Sequence, residues 1–191
     1  MSSGDRLSRR NFVVLSILGA GSICLLYRCR PQASKWRFFT DPEALVIDAM
    51  AEQIIPSDEW PGGKESGVTN FIDKQLTGPY VRFQTTYRNG ISALQESSKS
   101  LYRKGFEQLD AGQQISLMEN MEAGKMKELQ WKDGFDRQFF NMVRDHSMQS
   151  YYGNPRHGGN KNNMSYKMLQ LDTPLITGQN RYNNLLWQIR R

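Results

Sequence analysis

Tyr80, Phe83, Tyr87, Ile91, Leu94, Ser98 and Leu101 follow one another at spacings of three and four. An α-helix completes a turn every 3.6 residues, so these side chains share one face. The face runs for about six turns, and a stripe that long has to be covered by other elements. The middle of the chain is therefore committed to helix packing. A coiled-coil seam would show similar spacing, but aromatics crowded into three heptads suit the core of a bundle better. Gly90 reads as the weak point of the row, because glycine is disfavoured in a helix interior by about 1 kcal/mol relative to alanine.

Four more segments read as helices. Thr40 or Asp41 caps the first, Pro42 sits where its missing N–H costs nothing, and Ala44, Ile47, Ala51, Ile54 and Ile55 form the stripe before Pro56 stops it. Residues 57–63, Ser-Asp-Glu-Trp-Pro-Gly-Gly, are a loop by composition. Val68, Phe71, Ile72, Gln75 and Leu76 share a face of a shorter helix ended by Gly78-Pro79. Asp110 and Gln113 have the spacing of a capping box, ahead of Ile115, Met118, Met121 and a stop near Gly124. Phe135, Phe139, Met142, Val143, His146 and Ser150 mark a last long helix ending before Gly153. No stretch alternates with period two. The expectation is an all-α fold, a small helical domain over 41–191 with five or six helices and long Gly/Pro-rich loops.

The N-terminus is of another kind. Met1 to Arg10 is polar and ends in two arginines, and Asn11 to Tyr27 then carries no charge. A basic stretch followed by an apolar one is the layout of an export signal. Arg9, Arg10 and Phe12, preceded by Ser8, resemble the bacterial twin-arginine motif. Residues 1–30 are thus expected to be a twin-arginine-type signal or anchor segment, and 31–40 a polar-aromatic linker. Seventeen uncharged residues are short for a bilayer crossing, which takes roughly 20, and the small residues Ala20 and Ser22 make a poor cleavage site. Whether the signal is removed stays open.

Charge and cysteine narrow the functional classes. Of the formal +6, residues 1–30 hold +4, leaving only +2 for the rest. A nucleic-acid binder needs a basic face on its folded domain, so that class loses its support. Both cysteines, Cys24 and Cys29, precede residue 31. The body accordingly has no thiol for a disulfide, a nucleophile, an iron–sulfur cluster or a C-x-x-C-H haem attachment. A twin-arginine signal implies export of something already folded, often around a cofactor, and nothing in this body is suited to holding one. The economical resolution is a second protein that carries the cofactor.

No catalytic, cofactor-binding or metal-binding residue is assigned from the sequence. Two histidines, His146 and His157, lack the company that zinc requires. His146 reads best as a half-buried side chain satisfied by a backbone carbonyl, with general-base chemistry as the sharper alternative. Gly62-Gly63 and Gly158-Gly159 are doublets rather than a dinucleotide fingerprint. There is no G-x-S-x-G elbow. What stands out is the loop from Tyr151 to Asn160, rich in Tyr, Gly and Asn. Tyr152, Asn154, Pro155, Arg156 and Asn160 are candidates either for partner docking or for framing the loop.

Three stretches carry a resemblance. They are Ala51-Glu52-Gln53-Ile54-Ile55-Pro56 with its acidic loop; Gly67-Val68 through Phe71-Ile72-Asp73 to Gly78-Pro79-Tyr80; and Phe139-Phe140 through His146 to Tyr152-Gly153-Asn154-Pro155, closing in Gly158-Gly159-Asn160. Over about 41–172 the chain resembles the gluconate 2-dehydrogenase subunit 3 family. His157 stands where that family often has Tyr, and Tyr166 where it often has Trp. The resemblance implies a small subunit of a membrane-bound dehydrogenase on the periplasmic face of the bacterial inner membrane. It further implies a large subunit carrying FAD and the active site, and a cytochrome c subunit carrying haem c that passes electrons to ubiquinone. The small subunit would supply the export signal and stability to the flavoprotein, and would engage the twin-arginine export machinery. The reaction implied is oxidation of D-gluconate to 2-dehydro-D-gluconate or of a related sugar, polyol or keto-acid. A free-standing periplasmic enzyme using His146, and an anchored scaffold, are the alternatives from other classes.

Overall fold

Thr40 opens the first helix with a reciprocal pair of bonds. Its hydroxyl accepts from the Glu43 backbone N–H, and the Glu43 carboxylate accepts from the Thr40 N–H at 2.8 Å. The sequence reading gives only a cap at this end and not the full box; the box expected at Asp110 with Gln113 forms as well. In the computed structural model residues 35–171 are described, and the twin-arginine residues Arg9, Arg10 and Phe12 lie outside them. The helices are α1 (Asp41–Ile54), α2 (Gly63–Ser66), α3 (Val68–Leu76), α4 (Gln84–Tyr102), α5 (Ala111–Glu122), α6 (Phe135–Tyr152) and α7 (Met164–Met168). Among the described residues there is no strand, as the missing alternation predicts. Seven helices replace the expected five or six, because α2 and α7 are four- and five-residue turns with no room for a periodic stripe.

The core is built largely from the faces read in the sequence. Ala44, Ile47 and Ala51 of α1 are buried, joined by Val46 and Met50 from the same helix. Val68, Phe71, Ile72, Gln75 and Leu76 of α3 are all buried. On α4, Tyr87, Ile91, Leu94 and Ser98 hold the predicted line, whereas Leu101 is exposed. Tyr80 and Phe83 precede α4 in a 3-10 turn, Val81–Phe83, and are only partly buried. On α5 the expected Ile115 points outward and Leu117 is buried in its place.

Helices α4 and α6 lie antiparallel. Gly90 and Ser97 of α4 meet Phe139 and the preceding Trp131, whose indole N–H donates to Ser97 Oγ at 2.9 Å, while Tyr80 at the other end meets Gln149. Gly90 is not a weakness here. A Cβ on it would stand 2.3 Å from the ring of Phe139, so glycine is what lets the two helices approach.

Residues 36–39, read as linker, belong to the core. Phe39 is 2% exposed, and Trp36 and Phe38 pack against the same cluster. A fully buried carboxylate holds them. Asp73 on α3 accepts backbone N–H bonds from Arg37 at 2.8 Å, Phe38 at 2.9 Å and Phe39 at 3.0 Å. Three donors converging on one carboxylate replace the water that burial removes. Arg88 of α4 completes the clasp. It pairs with Glu43, donates to the Phe38 carbonyl and lies 4.2 Å from the Phe38 ring centre. Burial opposes ionisation of Glu43, but the bonds from Arg88 and Thr40 outweigh it and hold that carboxyl below its ordinary value.

Candidate functional site

The stretches that carry the family resemblance converge in space. The Gly-rich loop after α6 lies against α3, where Asn70 Nδ2 donates to the Gly158 carbonyl at 2.7 Å and Lys74 Nζ to the Arg156 carbonyl at 2.9 Å. Tyr151, at the end of α6, donates its hydroxyl to the Pro61 carbonyl of the acidic loop at 3.0 Å. Gly63 N–H returns to the Ile55 carbonyl at 2.8 Å, tying that loop to the end of α1.

Within the Gly-rich loop the candidate residues divide. Tyr152 is exposed, with its ring edge-on to Tyr151. Asn154 caps the 3-10 turn Pro155–His157 by accepting from Arg156 N–H at 3.0 Å, and Pro155 fixes the first position of that turn. Arg156 is exposed and its Nε donates to His157 Nε2 at 3.0 Å. Asn160 is fully buried in the left-handed region at φ 44°. It donates to the Gly153 carbonyl at 2.8 Å and accepts from Ser165 N–H at 2.9 Å. It frames the loop and presents nothing outward. Gly159 next to it packs directly on Ser150, where a Cβ would meet Oγ at 2.1 Å.

The polar groups that converge on open space are elsewhere, in a cleft of about 580 Å³ between the Tyr80–Phe83 turn and one face of α6. Gln138, Asn141, Met142, Asp145, His146 and Gln149 line the helical side, at spacings that keep them on one face. Tyr80, Arg82 and Phe83 line the other. A concave site with a few convergent polar groups and a perturbed histidine is the ordinary form of a binding site.

His146 is the centre of it and is 6% exposed. Its ring stacks on Tyr80 at 4.4 Å between centroids, and Nδ1 lies 2.9 Å from the Tyr87 hydroxyl. The expected backbone carbonyl is thus replaced by a buried tyrosine, 59 residues away in sequence. Burial pushes the imidazole pKa down to about 4, with nearby Arg82 adding to the effect and Asp145 opposing it. Burial also raises the Tyr87 hydroxyl well above its usual value, so it keeps its proton. Tyr80 in turn donates to Gln149, which fixes the stacked ring. Asp145 is paired with its neighbour Arg144 at 3.0 Å. Arg82 spreads over the Phe83 ring at 4.5 Å and makes no ion pair among the described residues.

Neither region assembles a metal centre: among the described residues no group of three or more His, Cys, Asp or Glu could hold an ion. No helix among them is long and apolar enough to cross a membrane. The family model for gluconate 2-dehydrogenase subunit 3 matches residues 41–172, and the chain belongs to that family, whose members are subunits of an oxidoreductase complex. No curated protein and no solved structure matched.

Proposed function

We propose that this chain is the non-catalytic small subunit of a membrane-bound, periplasm-facing, FAD-dependent dehydrogenase that oxidises D-gluconate to 2-dehydro-D-gluconate. The observation that carries the reading is the family match across more than two thirds of the chain. The Arg9-Arg10-x-Phe12 motif supports the location, and the thiol-free body supports partners that hold FAD and haem c. In this reading the flavoprotein subunit performs the oxidation and a cytochrome c subunit relays electrons to ubiquinone. The present chain brings the export signal for the twin-arginine machinery and stabilises the flavoprotein.

The test is affinity purification of the tagged chain from membranes, read by flavin fluorescence, haem absorbance and dye reduction with gluconate. Co-purifying flavin and c-type haem with gluconate-dependent activity is the expected result. A colourless, solitary 22.1 kDa species would overturn the proposal.

A further inference from the structure

The cleft beside His146 has a chemical bias that the subunit reading does not require. The Tyr87 hydroxyl is fully buried and its partner is His146 Nδ1. A tyrosine can satisfy both itself and that nitrogen only by donating its proton to it, which leaves the ring hydrogen on Nε2. Nε2 has no partner among the described residues and opens onto the cleft. The buried pair therefore sets a neutral imidazole N–H as a fixed donor at the cleft floor.

The surrounding groups continue this bias. Arg82 is the one cationic group lining the cleft and has no carboxylate partner among the described residues, while the lining carboxylate, Asp145, is already engaged by Arg144. The amides of Gln138 and Asn141 make no hydrogen bond among the described residues, so each offers a donor and an acceptor. Tyr80 and Phe83 supply aromatic faces against which C–H bonds can pack. A ligand matched to this set has an anionic head for Arg82 and Nε2–H, hydroxyls for the amides, and a short carbon chain for the rings.

We infer that the cleft between the Tyr80–Phe83 turn and α6 binds a small hydroxylated carboxylate, with Arg82 and His146 holding the carboxylate and Gln138 and Asn141 the hydroxyls. Binding alone is assigned to the cleft, with no chemical step there. The inference goes beyond the subunit reading and is tested on this chain alone, so that absence of partners and absence of binding are separate results.

The experiment is calorimetric titration of the full chain in detergent with D-gluconate, with glucitol as the uncharged polyol and inorganic phosphate as the bare anion. Gluconate should bind at least tenfold more tightly than either control. Arg82→Gln, at an exposed position, should weaken gluconate at least tenfold without changing the far-UV spectrum. Asn141→Ala should weaken it several-fold. In ¹⁵N spectra, gluconate should shift the His146 imidazole and leave His157 in place. No binding, equal binding of glucitol or phosphate, or an Arg82→Gln variant that binds like the parent would each overturn the inference.

Discussion

Replacing Gly90 by alanine separates two accounts of the long helix by sign. If the residue were only a poor helix former, the substitution would stabilise the protein by about 1 kcal/mol. The structure puts the new methyl 2.3, 2.4 and 2.6 Å from three carbons of the Phe139 ring, where about 3.5–4.0 Å is an ordinary contact. That ring is fully buried, with Tyr87, Trp131 and Phe135 around it, so it has nowhere to turn. Overpacking of this kind costs roughly 1–3 kcal/mol, and here the upper end applies because α4 and α6 must spread. After subtracting the gain in propensity, the net loss is about 2 kcal/mol. With an unfolding entropy of ~2.1 cal/mol/K per residue over ~140 residues, the melting temperature should fall by about 7 °C. Scanning calorimetry or a circular dichroism melt of the parent and Gly90→Ala reads this directly. Phe139→Leu should partly rescue the variant, giving a favourable coupling of about 1 kcal/mol in the double-mutant cycle. A rise in melting temperature, or strictly additive effects, would refute the argument.

Other consequences can be measured on the same preparation. Asp73→Ala leaves three backbone donors without their acceptor and should cost about 3 kcal/mol or more, with faster proteolysis around residues 36–39. Asn160→Ala removes both loop-framing bonds and puts a less tolerant residue at a positive φ, for a loss of about 2–4 kcal/mol in denaturant melts. Because His146 titrates near 4 when folded and near 6.5 when unfolded, its contribution is complete above about pH 6.5 and is lost as pH falls towards 4. Allowing for water in the cleft, that loss is on the order of 2 kcal/mol, and His146→Phe should flatten this part of the stability–pH curve.

The parts of the fold legible in the sequence were those set by local rules. The α3 face, the Asp110 cap and the stop before Gly153 follow from spacing and from residue types that act within a turn. What was missed depends on partners far along the chain. Asp73 looks like any polar residue on a short helix until the backbone 34 to 36 residues earlier reaches it. The same holds for residues 36–39, whose aromatics show no period and so read as linker. Gly90 reads as a weak point in the sequence because periodicity reports what a position contributes to its own helix and not what leans on it. Of the candidate site, the sequence singled out the loop that frames the domain. The cleft is not legible in the sequence because its halves come from a 3-10 turn and from α6, and each half alone is an ordinary amphipathic face.

The contact at Gly90 also works as a notch and key. The Phe139 ring seated there prevents α4 from sliding along α6, since a shift of one turn in either direction would drive the ring into Tyr87 or Leu94. Phe83 lies seven residues before the notch and His146 seven residues after the key, so on antiparallel chains both walls of the cleft stand about 10 Å from the same fixed point. The cleft's width is therefore inherited from a register set in the dry interior. Substitutions that loosen this register should alter what the cleft admits before they touch any residue that lines it.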